Sequence, residues 1–141
     1  MFLAHLNWLA ILVSFVVVFA AGALWFGPKT FFPIWWKAMG RSADEAAGGS
    51  NMAVVFISTA VANFIQVVAL ASVIYFVRLS DPEFAWWNGL LAGLLVGIGF
   101  AAMSSLSHRL FAGQGFKVWI IEVASDVLNL TLAGIILGLW A

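Results

Sequence analysis

Four apolar runs, each long enough to cross a bilayer, decide what this chain can fold into. They occupy residues 2–26, 52–77, 84–106 and 118–141 of a 141-residue sequence. A helix rising ~1.5 Å per residue needs ~20 residues to traverse ~30 Å of hydrocarbon. Lipid offers no partner to a bare peptide group, so each run must close its backbone hydrogen bonds within itself, as a helix does and a lone strand does not. The composition agrees: with 65% hydrophobic and 9% charged residues, the chain cannot cover a soluble surface of its size with charge. The expected fold is all-α. It is an integral membrane bundle of four transmembrane helices at about 2–27, 51–78, 83–107 and 116–140, joined by short loops in one domain spanning 1–141.

The first run contains an Ala21-Gly22-Ala23 triplet resembling a signal-peptide cleavage site. No Lys or Arg precedes it, and the apolar stretch exceeds a signal core, so it reads as a spanning helix. Gly27-Pro28 stops it. Ser42 and Glu45 have capping-box spacing, with Gly48-Gly49 ending what they start, and Ser50 or Asn51 is placed to cap the second helix. Ser80 and Glu83 repeat the capping-box spacing before the third helix, and Gly113 and Gly115 supply the last turn. Net charge is zero, so there is no basic field for nucleic acid. The absence of cysteine removes disulfides, thiolate metal sites and cysteine nucleophiles.

Basic residues set the expected orientation. Lys29, Lys37, Arg41, Arg109 and Lys117 fall in or beside the connections after the first and third helices, against Arg78 alone on the other side. The positive-inside rule puts those two connections in the cytoplasm and both termini outside it. Trp25, Trp35, Trp36 and Trp119 then lie near one interface, and Trp8, Trp86, Trp87 and Trp140 near the other. An indole is apolar with one donor, so these are expected to anchor the helices at the headgroups. The stretch "TFFPIWWK" is expected to lie along the interface as a short amphipathic piece.

Asn7-Trp8-Leu9-Ala10, Gly22-Ala23-Leu24-Trp25-Phe26 followed by Pro28, Phe32 and Trp36, and the closing "GIILGLW" from Gly134 to Trp140 together resemble the domain of unknown function 1761 family of small bacterial multi-pass membrane proteins. The family pattern has Tyr after the first Trp of the second motif, where this chain has Phe26. The resemblance implies a bacterial inner (cytoplasmic) membrane location and carries over no activity or catalytic residue.

Two patterns inside the runs carry chemistry. Gly89, Gly93 and Gly97 recur every fourth residue on the third helix, and Gly134 and Gly138 do the same on the fourth. Small residues at that spacing let backbones approach closely. Packing within the bundle is preferred over a homodimer seam, because a small bundle needs such contacts to form at all. The second pattern is polar. Glu122, Asp126 and Asn129 sit at i, i+4 and i+7 on the fourth helix, and Thr59, Asn63 and Gln66 do so on the second. Asp126 lies nine residues beyond Lys117, roughly 13 Å deep and close to the midplane. A carboxyl there costs ~3 kcal/mol or more unless it faces protein or water. The two faces are therefore expected to meet, with Asn63 first and Gln66 second donating to a largely neutral Asp126. Glu122 is expected to stay charged beside Lys117 or Arg109.

His5 and His108 fall near opposite faces and read as interfacial polar residues. No metal-ligand set, GxSxG or phosphate loop is present, so neither metal nor cofactor is expected. An intramembrane enzyme is the weakest reading, lacking a nucleophile–base pair. A non-catalytic membrane protein, as an accessory or packing subunit of a larger complex, leads. An oligomeric small-solute, ion or proton transporter using the intramembrane carboxylates is the alternative. Expected partners are membrane lipids, further copies of the chain or a larger membrane-protein complex, and no nucleic acid.

Overall fold

The computed structural model describes residues 1–49 and 51–141, and among these every regular element is helical. Four helices are long and apolar enough to cross a membrane: α1 (Trp8–Trp25), α3 (Met52–Ser80), α4 (Trp86–Phe111) and α5 (Gly115–Leu139). The short helix α2 (Phe32–Ala38) lies between the first two.

The helix ends follow local chemistry more closely than apolar run length. Residues Phe2–His5 form a 3₁₀ turn, Leu6 is extended, and Asn7 caps α1 by accepting from the Ala10 amide at 3.1 Å. An apolar run alone does not reveal that break, which starts α1 six residues later than expected. Asn51 caps α3 by accepting from the Val54 amide at 3.2 Å; the competing candidate, Ser50, lies outside the described residues. The expected capping box at Ser80 and Glu83 does not form. Ser80 ends α3 with its hydroxyl donating back to the Phe76 carbonyl, and Asp81 takes the Glu83 amide instead. α4 then begins at Trp86, where Asn88 Oδ1 accepts from the Ala85 amide at 2.9 Å. At Ser42 and Glu45, a turn forms without a helix. The Glu45 carboxylate accepts from the Ser42 amide and pairs with Arg41 at 3.1 Å, and those bonds hold its carboxyl below the usual glutamate range.

α5 is the hub, packing against α1, α2, α3 and α4. Its contact with α4 is the most intimate and is made by glycine. A Cβ on Gly89 would meet the Gly134 carbonyl and come within 2.8 Å of Gly138 Cα; one on Gly138 would lie 2.7 Å from the Trp86 carbonyl oxygen. Gly93 and Gly134 are equally confined by facing backbone. In lipid, association rests on such dispersion contacts and weak Cα–H···O bonds, since hydrocarbon gives no hydrophobic drive between helices. The structure thus places the glycine stripe within the bundle.

The aliphatic core sits toward the end carrying both termini. Ala10, Ile11 and Val18 from α1 meet Val67, Leu70 and Ile74 from α3 and Leu130, Ala133 and Leu137 from α5. Asn7 closes that end by donating to the Trp140 carbonyl at 3.2 Å. Toward the opposite end α3 loses its partners: its buried residues are Val67, Leu70, Ala71 and Ile74, and none lies between Met52 and Gln66. α4 is also irregular, widening into a π turn at Gly97–Ala102.

Candidate functional site

The polar face of α5 does not act as one unit. Glu122, Asp126 and Asn129 span an arc of about 60° at ~100° per residue, wide enough for each to meet a different neighbour. Glu122 meets Arg109, which donates through Nε to one carboxylate oxygen and through Nη2 to the other, both at 2.7 Å. The Trp35 indole adds a third donor at 2.9 Å, and Arg109 also reaches Gln114 Oε1 at 3.5 Å. The pair is partly shielded, with side-chain exposures of 15% for Glu122 and 35% for Arg109. A planar guanidinium matches both carboxylate oxygens at once, which fixes geometry as well as charge. The cluster therefore latches α2 and the end of α4 onto α5. Of the two cations expected near Glu122, Arg109 fills the role, while Lys117 is exposed.

Asn129 turns toward α1, where a Cβ on Gly22 would lie 3.5 Å from its amide nitrogen. Its Oδ1 is buried without a hydrogen-bond partner among the described residues, as is the hydroxyl of Ser14 on α1.

Asp126 faces a groove between α3, α4 and α5. Gln66 and Val73 line it from α3, Phe100, Ser104 and His108 from α4, and Leu130 from α5, around a volume of about 410 Å³. The expected bond from Asn63 is absent. The Asn63 amide donates to the Thr59 carbonyl at 3.0 Å, and the Thr59 hydroxyl to the Val55 carbonyl at 2.7 Å. Short polar side chains on a helix find their own backbone one turn back when no neighbour competes, and here Asn63 is only half-buried, with no fully buried residue of α3 before Val67. Gln66 shares the groove with Asp126 without bonding to it. Among the described residues, Asp126 has no side-chain hydrogen bond to protein.

The π turn and the groove occupy the same stretch of α4. Phe100 and Ala101 belong to the turn and line the groove. Widening a helical turn disturbs its i→i−4 ladder, and side-chain donors can then attach. The Trp119 indole and the Ser105 hydroxyl both donate to the Ala102 carbonyl, at 3.0 and 3.1 Å. The indoles of Trp25, Trp35 and Trp119 therefore bond within the bundle, Trp25 to the Ile121 carbonyl at 3.0 Å, while that of Trp36 reaches the Ser42 carbonyl. Trp86 and Trp87 remain exposed at the other end. Sequence reasoning passed over Ser104 and Ser105 and read His108 only as an interfacial polar residue; the polar run "SSLSHR" on an otherwise apolar helix was the signal that marked all three.

No group of three or more His, Cys, Asp or Glu side chains able to hold a metal occurs among the described residues. No curated protein and no solved structure matches the chain. One family model does, over residues 9–138, and its description is "Protein of unknown function (DUF1761)".

Proposed function

The chain belongs to the DUF1761 family, and from that premise we propose that it is a non-catalytic multi-pass protein of the bacterial inner membrane, acting as an accessory subunit that assembles through α3. One observation carries this reading. The half of α3 from Met52 to Gln66 buries no residue, yet it holds Ser58, Thr59, Asn63 and Gln66. Apolar exposure alone would say nothing, because lipid covers it. Polar side chains at membrane depth, in contrast, are expected to face protein or water. A further helix laid on this half would supply the cover its own bundle lacks. The distribution of Lys and Arg supports placing this half of α3 toward the cytoplasm, with both termini on the far side.

Photo-crosslinkers placed singly at Ser58 and Asn63 in membranes, followed by native mass spectrometry of the purified assembly, test the reading. The expected result is a discrete protein adduct from both positions and a stoichiometry above one chain. Crosslinks to lipid alone from a monodisperse monomer would remove it.

A second reading, an oligomeric transporter of a small solute, ion or proton, draws support from the groove that reaches Asp126. It predicts flux in proteoliposomes of the purified chain that Asp126→Asn abolishes without changing assembly.

A further inference from the structure

We propose that the groove between α3, α4 and α5 is a binding site for an amphiphilic organic monocation of the primary alkylammonium type, its ammonium donating to the Asp126 carboxylate and its hydrocarbon tail lying along the apolar walls. The inference goes beyond the subunit reading and rests on the groove alone.

The polar inventory of the groove points to a cation. Asp126 contributes a carboxyl without a protein donor. Ser105 has its own proton engaged by the Ala102 carbonyl, so it offers lone pairs. Gln66 adds an amide carbonyl on the facing helix. No Lys or Arg lines the groove, and the Arg109 guanidinium lies on Glu122. Ser104 and His108 also line the groove, but the Asp126 carboxylate beside them would repel an anion. A small metal ion would find one carboxylate where it needs several oxygen ligands, and no cluster of metal-ligating side chains stands here among the described residues.

The remaining walls decide between a small hydrated cation and an amphiphilic one. Leu70, Val73, Val96, Phe100 and Leu130 make most of the lining apolar. A volume of about 410 Å³ falls within the usual range for small organic ligands. The π turn sets Phe100 and Ala101 into this wall at the depth of Asp126. A cation with a hydrocarbon tail satisfies both halves at once. Its charge lets the carboxylate stay ionised in a low-dielectric site, because the two enter it as a pair. Such a molecule partitions into the bilayer and reaches the groove laterally.

The test uses the full chain in phosphatidylcholine nanodiscs and radiolabelled octylammonium, read by scintillation proximity against empty nanodiscs, with octanol as the uncharged probe. Saturable binding at one site per chain is expected, weakened at least about tenfold by Asp126→Asn, the loss of one charge-assisted bond. Ala101→Leu, which fills the groove while leaving Asp126 in place, should weaken it by a similar factor. Glu83→Gln, in the α3–α4 connection, should bind as the parent does. Octanol should not compete at equal concentration. If Asp126→Asn does not fold, the Ala101→Leu result decides alone. Binding no greater than to empty nanodiscs, undiminished binding by either groove variant, or equal competition by octanol overturns the proposal.

Discussion

Adding one methyl group at successive glycines of α4 should give a graded series whose order is set by the backbone they face. At Gly93 a Cβ would meet the Leu130 carbonyl oxygen, lie 2.9 Å from the Leu130 carbonyl carbon and 3.1 Å from Thr131 Cα. Comfortable carbon–carbon contact is ~3.5–4.0 Å, so the helices must separate by roughly 0.7 Å, a gap that forfeits about a quarter to a half of the dispersion well along the seam. Backbone cannot swing aside as a side chain tip can. Overpacking of this kind costs about 1–3 kcal/mol, and alanine returns ~0.8–1.0 kcal/mol in helix propensity. The net loss for Gly93→Ala should be up to about 2 kcal/mol, with Gly93→Leu larger. At Gly97 the nearest atom is Val127 Cα at 3.0 Å, followed by Val127 side-chain carbons, and the loss should be smaller. At Gly99 nothing lies within 4 Å, so Gly99→Ala should be neutral or stabilising by up to ~1 kcal/mol. Reversible unfolding by steric trapping in bicelles measures these differences, with Leu94→Ala as the reference for simple truncation. If Gly93→Ala unfolds at the same free energy as Gly99→Ala, the glycine faces lipid and the seam described above is wrong.

Three further outcomes concern the polar ends. Reporter fusions at Ala141 should give an extracytoplasmic signal, as the placement of Lys29, Lys37, Arg41, Arg109 and Lys117 requires; a cytoplasmic signal refutes that orientation. Glu122→Gln should destabilise by about 1–2 kcal/mol, toward the lower end for a charge-assisted pair because Arg109 keeps partial contact with solvent. Trp35→Phe should cost about 1 kcal/mol and mobilise a spin label at Ile34 on α2. The two changes act at one carboxylate, so their effects should not add; full additivity would mean that α2 is held by something other than Glu122.

What the sequence made legible was whatever is written in one dimension. The spans follow from run length, and the close approach of α4 and α5 from the four-residue recurrence of Gly89, Gly93, Gly134 and Gly138. The proximity of Arg109 to Glu122 follows from two helix ends joined by a short turn through Gly113 and Gly115, both at positive φ. What stayed hidden depends on how far one helix stands from another. Asn63 and Asp126 share a depth and matching faces, yet α3 has no fully buried residue before Val67, and the Asn63 amide turns to its own helix. No spacing announces that loss of cover. The π turn is equally silent, since "GIGFAA" reads as one more segment of helix three. The donation from Trp35 to Glu122 required knowing that α2 folds back onto α5, and an interfacial placement of its aromatics gave only its approximate depth.

The hub position of α5 also has a consequence for biosynthesis. The helix that every other described helix packs against follows all of them in the chain, so the ribosome makes it after them. Until it is inserted, the glycine face of α4 has nothing to meet, the polar cap at Asn7 lacks the Trp140 carbonyl, and Arg109 and Trp35 lack the carboxylate that joins them. Until then the first three spans keep mainly the α1–α3 and α3–α4 contacts, and a chain truncated before Gly115 should present quality-control proteases with a loosely joined set rather than a smaller version of the same bundle.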